Sequence, residues 1–211
     1  MAAPTAAQRA EIAASFRKIS PLEDADLAPL LGAFEVRALR AGAPLLEPGA
    51  PASQVFVVLE GVLREYYVLP SGSERTKGFA VEGELIGSLS DLVATRPSRA
   101  SIAAVTRARV AALPYARLSL LPARQPRWAR FSEAMLLRLY LAKSEREWEL
   151  LALDAAGRHE RFGARFPGLE ARIPQREVAS YLGITPVHLS RLRSRALAGR
   201  RARARRSRES P

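Results

Sequence analysis

The stretch that decides the fold of this chain is residues 175–194, QREVASYLGITPVHLSRLRS. Apolar residues fall at its fourth, eighth, tenth, fifteenth and eighteenth positions. This spacing predicts two short helices that cross closely at the small residue Ala179. Gly183 is expected to end the first helix in the left-handed conformation, which a Cβ would penalise. Thr185 would cap the second helix, with Pro186 at its first position, where a missing N–H costs nothing. We interpret the stretch as a helix-turn-helix.

The second helix is predicted to leave a polar and basic face outside, and a short helix of this kind fits the major groove of duplex DNA. The alternative is an ordinary helical hairpin packed in a core; the arginine-rich end favours DNA. The residues expected to face the groove are Thr185, Val187, His188, Ser190 and Arg191. Arg191 is the best candidate for contacting guanine O6 and N7. The residues expected to hold phosphates are Gln175, Arg176, Arg193 and Arg195, together with the arginines of the tail.

Positive charge is concentrated at the carboxyl end. The chain has a formal charge of +12, and the segment from Arg191 to the end holds nine arginines and one glutamate. This surplus would attract phosphates. Residues 199–211 have no apolar pattern and too much like charge to fold, so we expect a flexible basic tail that is solvated and free to contact phosphates.

Composition excludes several classes of protein. With 211 residues, 48% of them hydrophobic and 26% charged, the chain is typical of soluble globular proteins. It contains no cysteine, which excludes disulfides, thiolate zinc sites and Cys-held iron–sulfur clusters. No apolar run is long enough to span a bilayer, and the amino terminus lacks the pattern of a signal peptide. We therefore expect a cytoplasmic protein without a membrane partner.

The amino-terminal part is predicted to change from helices to strands. Residues 1–34 have helical spacing, and residues 20–23 (SPLE) predict a capping box with Pro21 at the first helical position. From about residue 35 to 113, short β-branched runs alternate with turns, which predicts an antiparallel sandwich or barrel. The expected strands include 54–60, 62–69 and a pair formed by 101–105 and 109–113.

Two further segments bear on function. Residues 83–101 (GELIGSLSDLVATRPSRAS), which we call the cassette, combine glycines, a short helix and Arg99. Backbone amides and one arginine can hold an anion there, although a solvated loop has the same pattern. Residues 126–162 predict one long helix with an apolar stripe. It either pairs with a copy of itself, as suits a symmetric DNA site, or packs within its own chain.

The order of these elements resembles the Crp/Fnr family of bacterial transcription regulators. The residues that carry the resemblance are Gly42, Leu45, Leu46, Pro48, Gly49, VFVVLEGVLREY at 55–66, Ser71, Gly72, GELIG at 83–87, Arg99 and REVASYLGITPVHLSRLRS at 176–194. The resemblance implies an α+β fold that begins with an antiparallel β-roll, or jelly roll, with flanking helices. The implied parts are a cyclic-nucleotide-binding-like effector domain at 1–125, a dimerisation helix at 126–162, a winged-helix-like helix-turn-helix domain with a truncated wing at 163–198, and the tail at 199–211. The implied partners are double-stranded DNA with a palindromic site and a second copy of the chain; RNA polymerase is a further partner that the family allows.

The chain departs from the family in the cassette and in the second helix. The effector-binding residues that the resemblance implies are Gly87, Ser88, Leu89, Arg99, Ala100 and Ser101. Cyclic-AMP-binding members carry a glutamate at the position of Ser88, where it holds the ribose hydroxyls. Without that carboxylate the sugar lacks a strong acceptor, which argues against cyclic AMP, while Arg99 can still pair with a phosphate or another small anion. Pro186 and Val187 replace an arginine and a glutamate of well-known members, so the target sequence does not carry over.

Two other functions remain alternatives. The chain could be a ligand-sensing module, for a nucleotide or another anion, that acts through protein partners without reading DNA. An enzyme is less favoured, because His159 and His188 both lie outside the β region and cannot form a metal-binding jelly roll. We expect no catalytic residues and no metal ligands, with His159 at the surface or at a hinge at the end of the long helix, and His188 facing DNA or solvent.

Overall fold

The computed structural model describes residues 2–195, which form two compact units divided between Arg146 and Glu147. The fold is a mixture of antiparallel sheet and helices, as the sequence predicts. Residues 196–211, which include the predicted flexible tail and the end of the predicted helix-turn-helix domain, lie outside the described residues.

The first unit is built on antiparallel strands arranged in two four-stranded sheets. The strands of the described chain are β1 Glu35–Leu39, β2 Pro44–Leu46, β3 Gln54–Glu60, β4 Leu63–Val68, β5 Glu74–Ala80, β6 Leu85–Ile86, β7 Ser101–Ala104 and β8 Ala108–Pro114. The first sheet has the order β1-β8-β3-β6 and the second has the order β2-β7-β4-β5. The predicted strand at 54–60 is confirmed, with the same first and last residues. Both of its faces are buried, which explains its continuous run of apolar residues.

The two faces of β3 serve two different cores. Phe56 and Val58 point between the sheets, where they join Leu63 and Ile102 of the second sheet. Val55 and its neighbours on the opposite face pack against helices. Each such fully buried side chain contributes roughly 1.5–3 kcal/mol to folding. The first sheet is therefore covered by helices on one face and by the second sheet on the other.

Two connections, from β3 to β4 and from β7 to β8, lead from one sheet to the other, and they lie side by side at Gly61. Its φ is +89°, and a Cβ there would lie 2.3 Å from the carbonyl oxygen of Arg107. Next to it, the Val62 N–H donates to Thr106 Oγ1 at 3.0 Å, and the Val105 N–H donates to the Val62 carbonyl at 2.8 Å. The chain thus passes from β3 to β4, and later from β7 to β8, at the same place.

The prediction that residues 101–105 and 109–113 pair with each other is wrong. β7 pairs with β4, where Leu63 lies opposite Ala104, and β8 pairs with β3, where Val58 lies opposite Val110. The two strands belong to different sheets, because the connection between them crosses the corner at Gly61 and does not fold back as a tight turn.

The amino-terminal helices are α1, Ala6–Arg17, and α2, Asp24–Leu31. The predicted capping box at residues 20–23 is wrong. The helix begins at Asp24, and the Glu23 N–H donates to Asp26 Oδ2 at 2.8 Å. Residues 18–20 instead form a turn that closes α1, with the N–H of Ile19 bonded to the Phe16 carbonyl.

Three further helices follow the strands: α3, Leu89–Val93, α4, Tyr115–Ser119, and α5, Pro126–Ala152. The first turns of α5 complete an aromatic core, in which the rings of Phe16 and Phe131 stack 5.3 Å apart and Trp128 meets Phe16 edge-on at 5.9 Å. The long helix ends ten residues before its predicted limit at 162. A new helix starts soon after it, because the Asp154 side chain caps that helix by accepting the Gly157 N–H at 2.8 Å.

The second unit contains α6, Ala155–Arg165, a 3₁₀ turn, Leu169–Ala171, and α7, Gln175–Leu182, followed by a helix over residues 186–195 that we call α8. Its core holds the rings of Phe162, Phe166 and Tyr181, with centroids 5.4–5.8 Å apart. Gly183 ends α7 in the left-handed conformation, at a φ of +72°. The predicted pair of short helices, with its glycine turn, is therefore present.

Among the helices of residues 2–195, none combines the length and the apolar content needed to cross a bilayer.

Candidate nucleic-acid interface and effector cassette

One face of α8 is anchored in the second unit and the other is open to solvent. Leu189 is fully buried, in keeping with its predicted place against α7. The Thr185 hydroxyl accepts the His188 N–H at 3.2 Å and so caps the helix as expected. The exposed residues, which we call the outer face, are Thr185, Val187, His188, Ser190 and Arg191. All five residues predicted to face a groove therefore lie together on one accessible surface.

The residues predicted to hold phosphates divide into two groups. Gln175, Arg176 and Arg195 are exposed, and Arg176 leaves 76% of its side chain accessible while its Nε lies 3.0 Å from Glu177 Oε1. Arg193 differs from the expectation, because its Nε donates to a carboxylate within the unit and only 26% of its side chain is accessible.

The partner of Arg193 is Glu170 in the 3₁₀ turn. Glu170 Oε1 lies 2.9 Å from Arg193 Nε and 2.9 Å from His159 Nε2, and Arg193 Nη2 bonds the same oxygen. Burial alone would raise the pKa of the Glu170 carboxyl, but the hydrogen bonds from His159 and Arg193 outweigh it and hold the pKa below its ordinary value. This network, which we call the Glu170 clamp, ties α6 and the 3₁₀ turn to α8. The sequence predicts only a surface or hinge position for His159 and gives no sign of the clamp, because its members are 11 and 23 residues apart.

A second arginine stabilises the start of the turn between α7 and α8. Arg158 Nε donates to the Leu182 carbonyl at 3.0 Å, and its Nη1 donates to the Leu153 carbonyl at 2.7 Å. Both carbonyls lie at helix ends, where intrahelical partners are lacking. Arg158 thus satisfies two helix ends from one side chain.

In the first unit, the cassette is organised around Asp91. This carboxylate is 1% exposed, and it accepts hydrogen bonds from Ser88 Oγ at 2.7 Å and Arg96 Nε at 2.6 Å. Arg99 donates to it twice, through Nε and through its backbone N–H, both at 3.0 Å. Burial favours a raised pKa for the Asp91 carboxyl, but these hydrogen bonds and the nearby Arg99 charge outweigh it and hold the pKa well below its usual range. Asp91 is therefore an ionised, fully partnered group at neutral pH.

The structure brings some of the predicted effector residues together and separates others. Ser88 and Arg99 meet on Asp91, and 58% of the Arg99 side chain is exposed. Ala100 and Ser101 are buried, and the Leu89 side chain packs against the helix-side core of the first sheet. Gly87 is partly buried between its neighbours. Asp91, the residue that joins this set, is missing from the predicted effector residues, although a carboxylate between Ser88 and two arginines is a visible signal in the sequence.

A second ion pair lies on the second sheet. Lys77 Nζ on β5 contacts Glu65 Oε1 on β4 at 2.7 Å, and the Glu65 side chain is 12% exposed. Burial raises the pKa of the Glu65 carboxyl; Lys77 opposes this shift, and the negative charge of Asp91 adds to it. Glu65 is thus a second carboxylate of the first unit that is paired within the chain.

Within residues 2–195, no group of three or more histidine and acidic side chains is arranged to hold a metal ion.

The sheet region of the first unit is similar to a known domain family. Residues 36–124 match the cyclic nucleotide-binding domain family. No curated protein is similar enough in sequence to count as a match. The first unit therefore carries a cyclic nucleotide-binding domain.

The wider fold is shared with known regulators. FixK2 from Bradyrhizobium japonicum superposes with a TM-score of 0.68 at 20% identity, over 79% of this chain and 85% of that one. The c-di-GMP-responsive global regulator CLP of Xanthomonas campestris gives 0.67 at 19% identity, over 84% and 93%. The catabolite activator protein of Thermus thermophilus gives 0.52 at 27% identity, over 85% of each chain. The chain thus has the domain and the fold of the Crp/Fnr-type regulators, and the resemblance seen in the sequence is confirmed at that level.

Proposed function

We propose that this protein is a sequence-specific DNA-binding transcription regulator of the Crp/Fnr type. The observation that carries the proposal is the outer face of α8, which exposes Arg191 and polar side chains beside Val187 while Leu189, on the opposite side of the helix, is fully buried. A helix held in this way presents its side chains without rearrangement, which is what insertion into a major groove requires. The shared fold with regulators supports binding, not catalysis, as the mode of action.

The roles of the outer face follow from hydrogen-bonding chemistry. Arg191 has the planar fork of donors that reads guanine O6 and N7, and the hydroxyls of Thr185 and Ser190 can bond either bases or phosphates. Arg176 and Arg195 are exposed cations beside this face and suit phosphate contacts, which position a protein without reading sequence. Arg193 is committed to Glu170 and in this proposal orients α8.

The proposed active form is a homodimer paired through α5. The side chains of Leu137, Tyr140 and Leu141 in the first unit, and of Trp148 and Leu151 in the second, each expose about half of their surface or more. Apolar side chains at this density on one helix are unusual for a monomer, and a helix with such a stripe buries it against a copy of itself. A twofold dimer would present two α8 helices to a palindromic site.

Whether cyclic AMP is the effector depends first on Ser88. The family match makes a cyclic nucleotide the first ligand to consider, because it is what the domain class is defined by. Ser88 is 1% exposed and its hydroxyl already donates to Asp91. It is therefore poorly placed to accept hydrogen bonds from a sugar, and cyclic AMP is a weak candidate for the effector.

The proposal is tested by selecting binding sites for the full-length protein from a random duplex library. An enriched, twofold-symmetric sequence is expected. Absence of any enrichment would contradict DNA reading and favour a sensing module that acts through protein partners.

The role of Arg191 is then tested by fluorescence anisotropy with the selected duplex and a scrambled duplex. Arg191→Ala is expected to lose ~1–3 kcal/mol on the selected duplex and much less on the scrambled one. The matched control, Arg195→Ala, should weaken both duplexes alike, because phosphate contacts are independent of sequence. Equal losses for Arg191→Ala on the two duplexes would refute its assignment to a base.

A further inference from the structure

The cassette contains a buried carboxylate whose hydrogen-bonding capacity is fully used. Asp91 is 1% exposed, yet four donors reach it, from Ser88, from Arg96 and twice from Arg99, at 2.6–3.0 Å. An ionised carboxylate offers about four lone-pair positions, so this group is close to saturation. Such a complete arrangement is what makes burial of a charge tolerable.

The cation that would hold an effector's phosphate is one of those donors. Arg99 Nε is bonded to Asp91 Oδ1, and Arg96 Nε shares the same oxygen. To bind a phosphate through that nitrogen, Arg99 would have to leave a buried carboxylate partly unpaired, which is strongly unfavourable. A phosphate would therefore compete with Asp91 for Arg99.

The backbone of the cassette is committed in the same way. The N–H groups of Leu89, Asp91, Leu92 and Arg96 donate to carbonyls of the cassette itself at 2.8–3.0 Å, and that of Arg99 donates to the Asp91 side chain. The amide cradle that the sequence suggests for an anion is therefore occupied by internal partners at these positions. After the short helix α3, the N–H groups of Thr95 and Arg96 donate to carbonyls of that helix.

We propose that Asp91 acts as an internal substitute for an anionic effector: its carboxylate takes the cassette arginine that a phosphate would otherwise bind, so the domain keeps its cassette ordered without a cyclic nucleotide. Asp91 is a specificity-determining residue that excludes phosphate-bearing ligands from Arg99. The inference concerns the first unit alone and does not depend on DNA binding.

The test uses the full chain, with binding measured by isothermal titration calorimetry and Tm by differential scanning fluorimetry. The probes are 3′,5′-cyclic AMP and inorganic phosphate, with chloride at matched ionic strength as the salt control. The unaltered protein is expected to give no heat with cyclic AMP, and its Tm difference between phosphate and chloride should equal that of Arg99→Gln, because it then reflects only the general effect of phosphate on a basic chain. Asp91→Asn keeps the side-chain shape and frees Arg99, so it should gain a phosphate-dependent rise in Tm of about 2–5 °C. That rise should disappear in Asp91→Asn combined with Arg99→Gln.

Two outcomes would overturn the proposal. One is tight cyclic AMP binding by the unaltered protein that Arg99→Gln abolishes. The other is a folded Asp91→Asn protein that shows no phosphate-dependent stabilisation. If Asp91→Asn does not fold, Arg99→Gln alone decides: it should lower Tm equally in phosphate and chloride, whereas a phosphate-binding Arg99 would give the unaltered protein a phosphate-dependent Tm that this variant lacks.

Discussion

The Glu170 clamp leads to a prediction about both stability and DNA recognition. One carboxylate oxygen accepts hydrogen bonds from His159 on α6 and from Arg193 on α8, and 30% of the Glu170 side chain is exposed. Glu170→Gln keeps the size of the side chain and removes its charge. The matched control is Glu160→Gln, which removes the same charge from an exposed position of α6.

The expected loss can be worked from the contacts. A hydrogen bond to a charged group contributes ~1.5–3 kcal/mol, and partial exposure of Arg193 and Glu170 reduces this, so we expect about 1–2 kcal/mol from the second unit. For a chain of this size, each kcal/mol lowers Tm by ~2–4 °C. The control Glu160→Gln should stay within ~0.5 kcal/mol of the unaltered protein.

The pH dependence of this stability has a definite sign. The pKa of Glu170 is lower in the folded chain than its ordinary value of 4.5, so the clamp stabilises the fold fully above pH 4.5. Its contribution is lost as the pH falls below 4.5 and through the folded-state pKa. The difference in stability between Glu170→Gln and the unaltered protein should therefore shrink in acid, which circular dichroism melts at neutral pH and below pH 4.5 would measure.

The same variant separates positioning from phosphate binding. Glu170→Gln weakens the hold on Arg193 while leaving a positive charge on α8. Affinity for a scrambled duplex should then stay the same or rise, while the ratio of specific to scrambled affinity falls. Indistinguishable melts for Glu170→Gln and Glu160→Gln at neutral pH, together with an unchanged specificity ratio, would refute this account of the clamp.

Three further predictions concern other parts of the chain. Leu137→Lys combined with Tyr140→Lys should convert the proposed dimer to a monomer in analytical ultracentrifugation, because it places charges on the exposed α5 stripe; a dimer of unchanged stability would contradict pairing through α5. Gly61→Ala should cost at least ~2 kcal/mol in urea unfolding, because its Cβ would meet backbone at 2.3 Å at a φ of +89°. The control Gly78→Ala has nothing within 4 Å and should cost far less, and equal costs would rule out the close approach as the cause. The slope of log K against log salt should be about −0.9 per phosphate neutralised, and removing the segment after Arg195 should make it shallower; an unchanged slope would show that the tail does not contact DNA.

Elements whose signals are local were predictable. The helical pair followed from a glycine at the end of α7, a Thr185 cap and an apolar spacing within twenty residues, and the structure shows each of them. The strand Gln54–Glu60 was equally clear, since a β-branched run buried on both faces leaves little choice of conformation. The start of α2 was less so, because residues 20–23 match the capping pattern in sequence while the helix begins at Asp24.

Strand pairing was not predictable from neighbouring residues. The connection at residues 105–107 is short enough to suggest a hairpin, yet β7 and β8 pair with strands more than thirty residues away in sequence, β4 and β3. The crossing at Gly61 involves a backbone approach that no local pattern records.

The candidate sites show the same division. The sequence alone determined which residue types would lie on the outer face of α8, because helical periodicity places every third or fourth residue on one side. Only the tertiary structure decided that Arg193 belongs to Glu170 and that Arg99 belongs to Asp91. The physical reason is that an arginine can reach any carboxylate within several ångströms, and which one it meets depends on how the backbone folds between them, over 23 residues for Glu170 and Arg193 and over 8 residues within the cassette.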